Sequence, residues 1–244
     1  MTVLVVGAGG TIGRSCTEVL VENLHFKSER IVASDVKVPS IPKTEAVALD
    51  VTNINQVREV LNNLENVSPI SGIIYAAGLN TTGPVDAIDW SDYERVMGVN
   101  LKGAFHIGAA VLELLRKTPR TFASVFVSST AGLIGEAGGS IYCASKFGLI
   151  GFTQVFAGEI AAYGGRANVV CPGNVDSPML STLATKIGER EGRSGSDVLK
   201  QWIGASAFKR LISPQEVAET CAWLLSQTSS GISGQTIVVD GARA

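Results

Sequence analysis

Histidine is the first shortage. His25 and His106 are the only two in 244 residues, so a Ser-His-Asp hydrolase has little to be built from, and both read as surface or helix-packing residues. Cysteine is scarce as well. Cys16, Cys143, Cys171 and Cys221 show no C-x-x-C spacing, which argues against a zinc site or a disulfide framework. Free thiols fit a reducing cytoplasm. No apolar run approaches the ~18–20 residues of a membrane-spanning helix. No basic flank precedes the first apolar segment at Val3, so a signal peptide is not expected. Neither sign of charge prevails: 20 Lys and Arg stand against 22 Asp and Glu, a net charge of −2. The basic residues are scattered, without the cluster that tracks a nucleic-acid backbone.

What the chain does have is alternation. Short β-branched apolar runs at 3–6, 31–34, 46–49, 72–76, 123–127, 167–171 and 236–239 are separated by helical patterns. Apolar runs of this kind suit strands buried on both faces. Strands alternating with helices predict a doubly wound α/β Rossmann fold: one seven-stranded parallel sheet with helices on both faces. At 45% apolar the chain can bury one substantial core. No linker or repeat divides it, so 1–244 reads as a single domain. The long helix before the fifth strand is expected to begin near Asp89, with Ser91 and Glu94 as an alternative capping box, and to carry Asn100 in its middle. Pro39 to Lys43 reads as a loop, and the polar, glycine-punctuated stretch from Gly188 to Asp197 as a mobile segment.

The first strand runs straight into Gly7-Ala8-Gly9-Gly10-Thr11-Ile12-Gly13 and then a helix with apolar Ile12, Cys16, Val19, Leu20 and Leu24. Strand, glycine turn and helix form a phosphate-binding context: glycines let the backbone approach a pyrophosphate, and the helix N-terminus offers unpaired N–H groups. A tight structural turn is the plainer alternative. The second strand ends at Asp35, 22 residues after Gly13, where a carboxylate can accept hydrogen bonds from an adenosine ribose. A carboxylate there repels a 2′-phosphate, which favours NAD. Lys37, two residues on, keeps NADP open.

Tyr142 and Lys146 lie four apart in Tyr142-Cys143-Ala144-Ser145-Lys146 and so share a helix face. A phenol beside an ammonium can serve as a general acid/base, because a neighbouring cation lowers the phenol's pKa from about 10. Ser129, thirteen residues earlier, is placed to hydrogen-bond a substrate oxygen.

Taken together, these residues resemble the short-chain dehydrogenase/reductase family, in its shorter-chain branch, over essentially the whole chain. Asn100, Ser129, Tyr142 and Lys146 match the family's catalytic tetrad. The resemblance implies Tyr142 as general acid/base, Lys146 depressing its pKa and binding the nicotinamide ribose, Ser129 orienting the substrate, and Asn100 holding a water in a proton relay. It implies cofactor contacts at Gly7, Gly10, Thr11, Ile12, Gly13, Asp35, Asp50, Val51, Ala77 and Gly78. Tyr142 and Lys146 also belong to that set, as do Pro172, Gly173, Val175 and Ser177. Gly234-Gln235 and Val239-Asp240-Gly241 match the C-terminal signature. Three positions depart from the pattern. Thr11 stands where the middle glycine of G-x-x-x-G-x-G belongs. The N-N-A-G segment reads Tyr75-Ala76-Ala77-Gly78, so an amide that braces the sheet is missing. The V-D-G-G tail ends in Ala242.

The activity so implied is reversible oxidation of a secondary alcohol by NAD, on a hydroxyacyl, hydroxybutyrate or small diol substrate, without a metal. The alternatives are an NADPH-dependent ketoacyl-type reductase, a nucleotide-sugar epimerase or dehydratase, and a non-catalytic NAD-responsive binding protein. The segment 178–208 should cover the substrate. Helices near 90–117 and 140–163 carry apolar residues on more than one face, and in the family such helices pair across two-fold axes. A homotetramer is therefore expected, with no membrane or nucleic-acid partner.

Overall fold

The computed structural model describes residues 1–242. Seven strands, β1 (Thr2–Val6), β2 (Arg30–Asp35), β3 (Glu45–Ala48), β4 (Ile70–Tyr75), β5 (Phe122–Val127), β6 (Gly165–Pro172) and β7 (Thr236–Val239), form one sheet in the order β3-β2-β1-β4-β5-β6-β7. Every pairing is parallel. The strands start and stop within two residues of the apolar runs in the sequence. The helices are α1 (Thr11–Glu22), α2 (Ile54–Val67), α3 (Trp90–Met97), α4 (Gly103–Lys117), α5 (Ser140–Ala161), α6 (Pro178–Glu191), α7 (Gly195–Ala205) and α8 (Pro214–Leu225).

Alternation along β1 builds two cores. Leu4 and Val6 point to one face and pack with Leu61 of α2, Ile107 of α4 and Phe156 of α5. Val3 and Val5 point to the other and pack with Leu20 of α1 and Val217 of α8. Burial on both faces is why these strands lack a polar alternation. β1 lies between β2 and β4, so the chain leaves it in opposite directions. The crevice over the C-terminal ends of those strands is the usual ligand position in such sheets.

Two local expectations need correction. The segment from Gly188 to Asp197 is the end of α6, a tight turn and the start of α7, where a loop was expected. Gly192 ends α6 in the left-handed region, at φ +68°, and Ser194 caps α7 by accepting from the Asp197 N–H. Gly188 is required by proximity, since a Cβ there would lie 2.6 Å from the Arg193 carbonyl oxygen. Glycine in this segment therefore marks close packing rather than freedom. The long helix expected across 90–117 is also interrupted, by a π-turn at Gly98–Lys102 between α3 and α4. Its start is capped by Asp89, whose carboxylate accepts from the Ser91 N–H at 2.8 Å, so the Ser91–Glu94 box is not used.

Candidate active site

The glycine loop is shaped by contact. Gly7 sits at φ +84°, and a Cβ on it would lie 2.4 Å from the Ala77 nitrogen. A Cβ on Gly13 would lie 2.1 Å from the Gly7 carbonyl oxygen. Gly10 leads into α1 with no side-chain cap, leaving the first-turn N–H groups of Thr11 and Ile12 open toward the crevice. Asp35 stands beside this loop. Its carboxylate accepts from Gly9 N–H at 3.0 Å and from Val36 N–H at 2.8 Å. Gly9 is bare for that reason: a Cβ there would meet the carboxylate at 2.9 Å. Asp35 thus supports the loop as well as facing the crevice, a second task that spacing alone does not disclose.

On the other side of the crevice, Ser129 follows two residues after β5 and caps a short turn, and α5 brings Tyr142 and Lys146 onto one face. Lys146 is 4% exposed. Its ammonium donates to the Val127 carbonyl at 2.9 Å and lies 5.7 Å from the centre of the Tyr142 ring. Ser128 anchors the helix from below, donating to the Lys146 carbonyl at 2.9 Å. Gly78 closes the arrangement, its bare α-carbon facing the ammonium, with a Cβ position 3.4 Å from Nζ.

The electrostatics run against the sequence expectation. Burial pushes the Tyr142 phenol up to about 12, while the Ser129 hydroxyl pulls in the opposite direction and the Glu136 charge adds to the rise. Burial brings the Lys146 ammonium down to about 8. Desolvation is the largest influence on both groups, disfavouring the phenolate and the ammonium alike, with Cys171 acting weakly to keep Lys146 charged.

Asn100 lies within the π-turn and is fully buried. Its Oδ1 accepts from Leu79 N–H at 2.8 Å, and its Nδ2 donates to the Leu79 carbonyl at 2.9 Å and to Ser145 Oγ at 3.0 Å. Ser145 in turn donates to the Tyr142 carbonyl at 2.7 Å. Asn100 therefore staples the loop after β4 to α5. Sequence reading missed two members of this cluster. Ser145 could have been picked out between Tyr142 and Lys146. Tyr75 could have been noticed as a large polar residue in the braced N-N-A-G segment.

A cavity of about 500 Å³ opens from Ser129 and Tyr142 past Gly173 and Val175 to Leu183 and Trp202. Pro172 ends β6 at its floor. Gly173 lies against Asp240, whose Cβ is 2.6 Å from where a Gly173 side chain would start. Ser177 also lines the cavity, but its hydroxyl is engaged as the cap of α6, accepting from Leu180 N–H at 3.2 Å and donating to the Val175 carbonyl at 3.1 Å. Asp50 is tied locally, its Oδ1 accepting from Thr52 N–H at 2.9 Å. The Val51 side chain is buried toward Gly103, and its carbonyl accepts from the His106 ring at 2.7 Å. His106 is a helix-packing residue, as expected.

A family model described as Enoyl-(Acyl carrier protein) reductase matches residues 18–242. The (S)-acetoin-forming diacetyl reductase of Staphylococcus aureus (strain Mu50 / ATCC 700699) is 34% identical over 165 residues, 68% of this chain and 64% of that protein. The match thus spans slightly less than two thirds of that relative's length. The 3-oxoacyl-(acyl-carrier-protein) reductase of Thermotoga maritima is 28% identical over 98% of this chain and 95% of its own. Among solved structures, ligand-free aldohexose dehydrogenase of Thermoplasma acidophilum superposes with a TM-score of 0.87 at 28% identity, covering 98% of this chain and 92% of that one. The family model spans most of the chain, and the whole fold superposes on a solved dehydrogenase: the chain belongs to the short-chain dehydrogenase/reductase family.

Proposed function

We propose that the protein interconverts a secondary alcohol and its ketone, using NAD, with Tyr142 as general acid/base. The observation that carries this reading is one cavity lined by Ser129, Tyr142 and Ile12 at the start of α1, with the Lys146 ammonium buried behind it, 5.7 Å from the Tyr142 ring. The loop fits a dinucleotide. Gly7, Gly9 and Gly13 hold the backbone where any side chain would obstruct, and the uncapped start of α1 presents N–H groups to a pyrophosphate. When bound, the nicotinamide accepts or donates the hydride. In the oxidative direction, Ser129 holds the substrate oxygen while its hydroxyl proton passes to the Tyr142 oxygen. In reduction, Tyr142 returns that proton to the carbonyl oxygen. Lys146 and Asn100 place and polarise the phenol from behind.

The cavity lining carries Asn80, Thr81, Thr82 and Glu136 with Leu183 and Trp202, and its one cation among the described residues, Arg210, is engaged by the Glu216 carboxylate. Uncharged hydrogen-bonding groups beside a carboxylate favour a small neutral substrate, a vicinal diol or hydroxyketone, over an anion such as hydroxybutyrate. The test is the near-ultraviolet absorbance of reduced nicotinamide as the protein meets NAD or NADP with a panel of diols, hydroxyacyl thioesters and hydroxy acids. Turnover with none of them refutes the reading. NAD is expected to be used at least about tenfold more efficiently than NADP, a difference of about 1.4 kcal/mol. Asp35→Ala should weaken NAD use and narrow the gap. A wild type that prefers NADP would show that Lys37 or another cation overrides Asp35.

We also propose a homotetramer. Phe105 on α4 is 50% exposed, and Phe147 and Val155 on α5 are 45% and 62% exposed. The Phe105 ring packs at a tilt against Phe152, 4.3 Å between centres, joining the two helices into one apolar face. Exposed aromatic surface of this kind is what subunit contacts cover. Light scattering should give about four times the 25.5 kDa chain mass. A monomer would remove the assignment.

A further inference from the structure

The π-turn that presents Asn100 leaves a backbone problem. In a regular helix the Val99 carbonyl would accept from Gly103 N–H. Here that N–H reaches back one residue further, to the Gly98 carbonyl. The Val99 carbonyl instead receives the Tyr75 hydroxyl at 2.5 Å, from the end of β4. Tyr75 is fully buried, and its ring lies 5.9 Å from that of Phe126. Burial pushes its phenol well above the ordinary range, so it stays a neutral donor. Gly103 makes room for it: a Cβ there would lie 2.4 Å from the Tyr75 oxygen. A long buried donor, a bare glycine and a diverted carbonyl therefore meet at the one turn next to Asn100.

We propose that Tyr75 is a positioning residue, whose hydroxyl holds the π-turn open at Val99 and thereby aims Asn100 at Leu79 and Ser145. The path to the site is continuous: Tyr75 to Val99, then Asn100, then Ser145, then the Tyr142 carbonyl. Tyr75 touches neither the cavity nor the reacting groups, so its effect on chemistry runs only through Asn100. It stands where the sequence lacks the bracing amide, and it braces the neighbouring turn as well as the sheet.

The inference rests on the proposed oxidoreductase reading, so the substrate and the wild-type rate are established first. If the wild type has no activity, that reading fails while the structural arm below still stands. Tyr75→Phe keeps the ring and removes the donor. Its kcat should fall roughly tenfold, the rate equivalent of losing one ordinary hydrogen bond, with the KM for NAD unchanged and the pH–rate profile altered. In an Asn100→Ala background the same substitution should have no further effect. Hydrogen exchange gives a readout without turnover. The Leu79 amide, held by Asn100, should exchange as slowly as the sheet in the wild type and lose protection in Tyr75→Phe, while amides of β5 keep theirs. A wild-type rate with intact Leu79 protection in the variant overturns the proposal. So do additive effects with Asn100→Ala. Should Tyr75→Phe fail to fold, rapid exchange of Leu79 in the wild type itself is enough to overturn it.

Discussion

Tyr142→Phe is expected to lower turnover by at least about 10²-fold, the lower bound for losing a general acid/base, with NAD binding retained. The substitution removes one oxygen from a half-buried ring and leaves the helix face, the Ser145 contact to the Tyr142 carbonyl and the glycine loop untouched. Binding and fold should survive. The direction of catalysis adds a second measurable feature. With its pKa raised to about 12 by burial, the phenol is protonated throughout the neutral range and is ready to donate in ketone reduction. Alcohol oxidation needs the phenolate, so its rate should rise with pH while reduction stays flat or falls. An oxidised nicotinamide brings a positive charge into the cavity and would favour the phenolate. A variant that turns over at the wild-type rate would move the base elsewhere.

Lys146→Met should abolish most activity yet leave the protein more stable, not less. The reason is the cost of keeping an ammonium in a wall that lowers its pKa from 10.5 to about 8. That difference of 2.5 corresponds to about 3 kcal/mol. Against it stands one hydrogen bond to the Val127 carbonyl, with a net value of about 1 kcal/mol. Methionine fills a similar volume without charge, so a gain of about 1–2 kcal/mol is expected, or a few degrees in Tm. The pH dependence fixes the cause. Between pH 8 and 10.5 the unfolded chain binds the Lys146 proton and the folded chain does not, so wild-type stability from this group rises with pH across that window. The wild type regains about 1.4 kcal/mol per pH unit above 8, so the Tm advantage of Lys146→Met should vanish about 1–1.5 pH units above 8 and reverse by 10.5. A variant less stable than wild type at pH 7 would show that the ammonium stabilises the fold. Loss of activity with gain of stability is the signature of a residue kept for chemistry.

The strands were legible because burial on both faces leaves continuous β-branched runs, as in Val3 to Val6 and Ser124 to Val127. The glycine loop, Asp35 and the Ser-Tyr-Lys set were legible because their chemistry depends on fixed spacing. What escaped the sequence was mostly relational. A π-turn inserts one residue into a helix without changing its composition, so Asn100 read as an ordinary mid-helix position. Gly188 and Gly192 looked like punctuation of a loop, whereas one is a packing contact and the other a helix end. The Tyr142 and Lys146 pKa shifts depend on how dry the wall is, which residue types do not specify. Ser177 also caps α6, a second task that its residue type alone does not disclose.

The all-parallel sheet has a consequence for how the chain is made. No two adjacent strands can zip together from a hairpin, since each parallel pairing must first close a crossover. β1 lies inside the sheet yet precedes both of its neighbours in the chain, and the second of them, β4, begins only at Ile70. Until then one edge of Val3–Val6 stands open, a sticky apolar template of the sort that holdase chaperones shield. Synthesis thus exposes for longest the strand that carries the glycine loop.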